Sequence, residues 1–234
     1  MALPYFYQPQ IPAGTLSLEL SEETSRHCIQ VLRMQPGEKL QLTDGNGTLY
    51  TAIISRADKR KAVVQIIESA IAPAPERNVS IAISLLKNSS RFEWFLEKAT
   101  ELGVTEIIPL ICRRTEKQQA RSQRLQTILI AAMLQSQQTY LPRLQDAVAF
   151  TTVVGSSNFQ QKLIAHCEPA DKALLGSLLI ENEVQLLIGP EGDFTQEEIA
   201  LALQHKYQPV SLGNNRLRTE TAGIAVAVLL TNLR

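Results

Sequence analysis

The 234-residue chain lacks the features that usually declare a partner or a compartment. Its 23 basic and 23 acidic side chains cancel, so no global field would draw it onto nucleic acid. No apolar run approaches the ~20 residues needed to cross a bilayer. The opening MALPYFYQPQIPAG has no charged segment followed by an apolar core, so no secretory signal is read there and a cytoplasmic location is expected. Only three cysteines occur, Cys28, Cys112 and Cys167, and none forms a C-x-x-C pair. That argues against a disulfide framework and against structural zinc. Two of them follow His27 and His166, but neighbours on a strand point to opposite faces and chelate poorly. All three cysteines are expected to be buried small hydrophobes. A Walker lysine and a G-x-G-x-x-G turn are both missing, which excludes the familiar phosphate cradles.

What is present is an ordinary globular composition, 44% apolar and 20% charged, in a length that holds one large or two small domains. The first seventy residues read as mostly β with one helix. Ser21 with Glu22 and Glu23 predicts an N-capped helix running to Met34, stopped by Pro36-Gly37. Lys39–Thr43 and Thr48–Ser55 are strand-like and joined by the hairpin signal Asp44-Gly45-Asn46-Gly47, with Ala62–Ile67 as a further strand. Pro73-Ala74-Pro75-Glu76 reads as a linker, placing domains at 1–72 and 73–234.

Beyond the linker, strands alternate with helices. Strands are expected at Val79–Leu86, Glu106–Ile111, Lys162–His166, Val184–Ile188 and Pro209–Leu212. Helices are expected at Arg91–Leu102, Gln118–Gln138, Ala170–Ile180, Thr195–His205 and Thr219–Leu233. This predicts an α/β fold with a parallel sheet covered on both faces. Basic clusters at Arg56, Lys59, Arg60 and Lys61, and at Arg113, Arg114, Lys117, Arg121 and Arg124, read first as solvated faces and second as nucleic-acid contacts.

Two strand ends carry the chemistry, because ligands of open α/β sheets sit beyond the carboxyl ends of strands. After Ile188 comes Gly189-Pro190-Glu191-Gly192-Asp193, whose glycines allow close backbone approach, and Thr195 with Glu198 forms a capping box for the next helix. After Leu212 come Gly213-Asn214-Asn215-Arg216-Leu217-Arg218-Thr219-Glu220 and a last helix that is apolar all round, which predicts full burial, in part against a second subunit. Arg218, Thr219 and Glu220 at the mouth of so dry a helix are costly to bury without partners and mark a candidate site.

GPEGDFTQEEI followed by SLGNNRLRTETAGIAVAVLL resembles the signature of the RsmE family of SPOUT methyltransferases. RFEWFLEKATELGVTEIIP resembles that family's K-A-T-E-L-G segment, and HCIQVLRMQPGEKLQLTDGNG its N-terminal PUA-like RNA-binding domain. The resemblance implies a C-terminal SPOUT domain with a trefoil knot, a small β-rich PUA-like domain, and a homodimer without membrane attachment. It implies methylation of N3 of a uridine in 16S ribosomal RNA, in the assembled small subunit, with S-adenosylmethionine as donor, S-adenosylhomocysteine as product and no metal. Leu187, Ile188, Gly189, Pro190, Gly192, Leu212, Gly213, Asn214, Leu217, Arg218 and Thr219 would bind the donor. Arg218, Glu220 and Glu191 would be catalytic, with a glutamate orienting Arg218 or taking part in proton removal. Arg33, Lys87, Arg91, Arg113, Arg114 and Gln135 would face RNA. A non-catalytic RNA-binding knotted dimer, or a SPOUT enzyme acting on another RNA, are the alternative readings. The chain departs from the family at Asp193, where Gly is usual, at Tyr5, where Arg is frequent, and at Asn88-Ser89-Ser90 and Leu134–Gln138, where charges are lost.

Overall fold

A computed structural model describes residues 3–116 and 122–232. The chain divides into two compact units, one of Met1–Ala74 with Met133–Leu141, the other of Pro75–Ala132 with Pro142–Arg234.

The first unit holds β1 (Tyr5–Tyr7), β2 (Ser17–Glu19), α1 (Glu22–Arg26), β3 (Lys39–Thr43), β4 (Thr48–Arg56) and β5 (Val63–Ile71). They form a five-stranded sheet in the order β1-β3-β4-β5-β2. The Asp44–Gly47 turn joins β3 to β4 as an antiparallel pair, as its composition predicts. Leu40 and Leu42 of β3, Ala52 and Ile54 of β4, and Val64 of β5 alternate inward at the strand period and make the core with Cys28 and Met34. Ser21 caps α1, its Oγ accepting the Thr24 N–H at 3.1 Å. The helix expected through Met34 instead passes at His27–Val31 into a π-helical turn, and Arg33 then adopts φ 56°. The wider turn keeps Cys28 wholly buried. His27 and Cys28 are therefore not on a strand.

The second stretch of this unit closes on the hairpin. The Gly47 N–H donates to the Thr139 carbonyl at 3.0 Å, and the Tyr5 hydroxyl donates to the Gln138 carbonyl at 2.8 Å. Tyr5, noted as a departure, thus has a local structural role.

The second unit runs β6 (Asn78–Ser84), α2 (Ser89–Glu101), β7 (Glu106–Ile111), α3 (Ser122–Gln135), β8 (Arg143–Leu144), β9 (Val148–Ala149), α4 (Phe150–Ser156), β10 (Gln161–Ala165), β11 (Ala173–Leu174), β12 (Glu183–Ile188), α5 (Gln196–Gln204), β13 (Gln208–Ser211) and α6 (Thr219–Asn232). Its sheet is parallel throughout, in the order β11-β13-β10-β12-β6-β7-β8 with β9 also on β7. β6 and β12 are buried along nearly their whole length, as a sheet covered on both faces requires.

The helix expected over Ala170–Ile180 does not form. Ala173 and Leu174 pair with β13, a 3-10 turn follows at Leu175–Ser177, and the Ser177 hydroxyl donates back to the Leu174 carbonyl at 2.8 Å. Burial of Leu175 and this local hydrogen bond outweigh helical propensity. The expected start of the Gln118–Gln138 helix, with Lys117 and Arg121, and the last residue of the helix expected to Leu233 lie outside the described residues.

α6 packs on α2 so closely that a Cβ on Gly223 would stand 2.6 Å from the Phe95 ring. Full burial of α6 is not observed. Ala222, Val226, Ala227 and Leu230 are buried, while Val228 stays 42% exposed.

Candidate active site

Three strands of the second unit end side by side. β10 lies between β12 and β13, so its carboxyl end sits between the two glycine turns. Together they open a cleft of about 780 Å³, within the range of small-molecule sites.

The walls are joined by short-range contacts that the sequence fixes locally. Thr195 and Glu198 form the expected capping box at the start of α5, which terminates the first turn. Gly189 is required by that turn's own closure: a Cβ there would lie 3.1 Å from the Phe194 backbone nitrogen and ring. Gly213 adopts φ 126°, which favours glycine. The Thr219 hydroxyl, at the first residue of α6, donates to the Gly189 carbonyl at 3.1 Å and ties the second turn to the first.

Of the residues expected to hold the donor, Ile188, Gly189, Pro190, Leu212, Gly213, Asn214, Leu217, Arg218 and Thr219 line the cleft. Leu187 lies instead in the buried cluster with Phe194 and Tyr207. Gly192 is outside the lining, and its carbonyl accepts from Arg114 Nη1 at 2.6 Å.

Arg218, Glu220 and Glu191 all line the cleft. Glu220 is buried, and its Oε1 lies 3.6 Å from Nε of Arg91. Arg91, expected to face RNA, therefore lines the same cleft as the counter-charge of Glu220. Glu191 Oε1 accepts the Lys87 backbone N–H at 3.3 Å. Arg218 is exposed at the mouth.

The other residues expected to face RNA divide between the units. Arg33 and Gln135 are exposed in the first. In the second, Lys87 pairs with Glu116 at 2.9 Å, which raises the Lys87 pKa, and Arg113 is exposed. Arg114 braces the first glycine turn through the Gly192 and Phe194 carbonyls. Of the remaining basic clusters, Arg124 forms a two-pronged pair with Glu93, and Lys61 pairs with Glu19.

Asp193 adds less free charge than its position suggests. Its Oδ2 accepts the Cys167 N–H at 2.7 Å and its Oδ1 the Phe194 N–H at 2.8 Å. Its side chain thereby ties the turn after β12 to the loop after β10.

That loop was missed in the sequence. Ala165, His166, Cys167 and Lys172 also line the cleft. His166 is buried, and desolvation followed by the nearby Lys172 charge hold its pKa below the ordinary 6.5. The signal for it was a polar residue at the carboxyl end of an apolar strand. Burial pushes the Cys28 thiol up to about 11 and Cys112 up to about 12, which suits inert packing residues. Cys167 corrects the expectation of three buried cysteines, since it is exposed. Among the described residues no group of three His, Cys, Asp or Glu side chains could hold a metal, and no helix is long and apolar enough to cross a membrane.

Residues 73–231 match the family model of an RNA methyltransferase domain, and residues 20–67 that of an RNA methyltransferase PUA domain. A ribosomal RNA small subunit methyltransferase E of Synechocystis is 32% identical over 226 residues, covering 91% of this chain and 71% of the relative. A solved structure from Porphyromonas gingivalis superposes with a TM-score of 0.90 at 36% identity, covering 96% of this chain and 95% of the other. The ribosomal RNA small subunit methyltransferase E of Neisseria gonorrhoeae, solved with bound S-adenosylmethionine, gives a TM-score of 0.87 at 30% identity, covering 97% and 96%.

Proposed function

The chain belongs to the ribosomal RNA small subunit methyltransferase E family, and from that premise we propose that it methylates N3 of a uridine in 16S ribosomal RNA. The observation that carries this reading is the cleft at three strand ends, with Arg218 at its mouth and Glu220 buried beside Arg91.

The residues present fit S-adenosylmethionine. The cleft combines backbone-rich turns, suited to an adenosyl group, with carboxylates and cations at its edge, suited to a zwitterionic amino-acid end. Ile188, Gly189, Pro190, Leu212, Gly213, Asn214, Leu217 and Thr219 would hold it. When bound, it supplies an electrophilic methyl on a sulfonium.

The rest is the work of this chain. Uracil N3 carries a proton at neutral pH and becomes a nucleophile only as that proton leaves. Charge then spreads onto the uracil oxygens, where a fixed cationic donor stabilises it. Arg218 is placed to do so from the mouth of the cleft. Glu220, kept charged by Arg91, and Glu191, whose carboxylate is held by the Lys87 amide, are the groups that orient Arg218 or receive the proton. Residues 1–72 would grip RNA and residues 73–234 carry the catalysis, with the assembled small subunit as substrate in the cytoplasm. The apolar α6 and its exposed Val228 support a homodimer whose interface is completed there, in a knotted arrangement of the SPOUT kind.

Arg218→Ala tests the assignment. Its turnover is expected to fall by about 100-fold or more. Calorimetric affinity for S-adenosylhomocysteine should change by less than about tenfold, since most of the lining is untouched. Normal turnover would remove Arg218 from its role.

A further inference from the structure

The three strand ends at the cleft differ in what they present. β10 is the middle one, so the residue after Ala165 stands between the two glycine turns. That residue, His166, lines the cleft and is only 8% exposed. Both of its ring nitrogens are buried, and neither has a hydrogen-bond partner of good geometry among the described residues. A backbone contact with Glu168 is the smallest of the influences on its proton, and it leaves at least one nitrogen facing nothing.

The polar neighbours are engaged elsewhere. Both oxygens of Asp193 accept backbone amides, from Cys167 and Phe194. Lys172 Nζ donates to the carbonyls of His166 and Glu168 at 2.8 and 2.9 Å. A buried imidazole left in this way carries a desolvation cost with no compensating bond, and a group on a ligand is the natural remedy.

The ring's own chemistry narrows that group. Desolvation and the Lys172 charge keep the imidazole neutral, so its partner need not be an ion. A neutral imidazole presents one N–H donor and one bare acceptor nitrogen. A hydroxyl satisfies whichever of the two faces the cleft, because it both donates and accepts. A carbonyl or an ammonium satisfies only one.

We infer that His166 is the hydrogen-bond partner of a ribose hydroxyl on the nucleoside half of the methyl donor. The inference rests on the reading of the cleft as the S-adenosylmethionine site. His166 binds and orients; it takes no part in transferring the methyl group.

The test is calorimetric titration of the full chain with S-adenosylhomocysteine and with its 2′-deoxy and 3′-deoxy forms. His166→Ala should weaken binding of the parent compound by about tenfold or more. One of the two deoxy forms should bind the wild type less tightly by a similar factor, yet lose little further in His166→Ala. His166→Phe keeps the ring's bulk without its nitrogens, and it carries the same comparison if the alanine variant does not fold. Parent binding that is unchanged in the variants overturns the inference. So does a deoxy penalty as large in the variants as in the wild type. A wild-type chain that fails to bind S-adenosylhomocysteine overturns the cleft's reading and this inference with it.

Discussion

Asp193 holds φ 63°, in the left-handed region where side chains other than Asn and Asp are seldom found. The glycine usual here in the family would adopt that φ freely, and this chain instead gains an acceptor for the Cys167 amide. Asp193→Ala keeps the strain and loses the acceptor. It should cost about 1–3 kcal/mol in denaturant unfolding, whereas Asp193→Asn should cost less than about 1 kcal/mol. Equal losses would show that the bond to Cys167 contributes nothing. His166 gives a second expectation at this scale. Its folded pKa lies below the ordinary 6.5, so the unfolded chain binds more protons as pH falls through that value. Its contribution to stability is full above 6.5 and is lost on acidification towards its folded pKa. Thermal midpoints measured from about pH 7.5 down to about pH 5.5 should fall more steeply for the wild type than for His166→Phe. Parallel curves would mean that the ring titrates as freely folded as unfolded.

Elements divide by how local their causes are. The Asp44–Gly47 hairpin, the Thr195–Glu198 capping box and β7 at Glu106–Ile111 were legible because turn chemistry, capping and apolar runs act over a few residues. The two-residue strands β8 and β9 and the extended stretch at Ala173–Leu174 were not, since pairing partners distant in sequence create them. The same holds for the site. Its two glycine walls were visible as motifs, but its floor was hidden because β10 precedes β12 and β13 in sequence and lies between them in space. The Arg91 partner of Glu220 was hidden for the same reason. α6 offers the sharpest test of packing at this scale. Gly223→Val would drive a branched side chain into Phe95 and Ile83, where even a Cβ stands 2.6 and 3.0 Å away. A loss of about 1–3 kcal/mol or more is expected by chemical denaturation, against little change for Thr221→Val on the exposed side of the same helix. Equal stability of the two variants would mean that α2 and α6 are not held this closely.

At the scale of the molecule, zero net charge and an RNA substrate are compatible only if local surfaces supply the attraction. Several of the basic residues expected to do so are already committed: Arg114 to the glycine turn, Lys87 to Glu116 and Arg91 to Glu220. Fold class and the presence of a donor cleft were therefore readable from sequence, while the division of labour among the arginines needed the structure. The most direct measurement is reverse-transcriptase primer extension on small-subunit RNA lacking the modification, after incubation with the purified chain and S-adenosylmethionine. Methylation at N3 blocks the pairing edge of the base, so the expected result is one new stop at a single uridine, absent when the donor is omitted and absent with Arg218→Ala. No stop with the wild type, or an equal stop with Arg218→Ala, would contradict the assignment of this cleft to uridine N3 methylation.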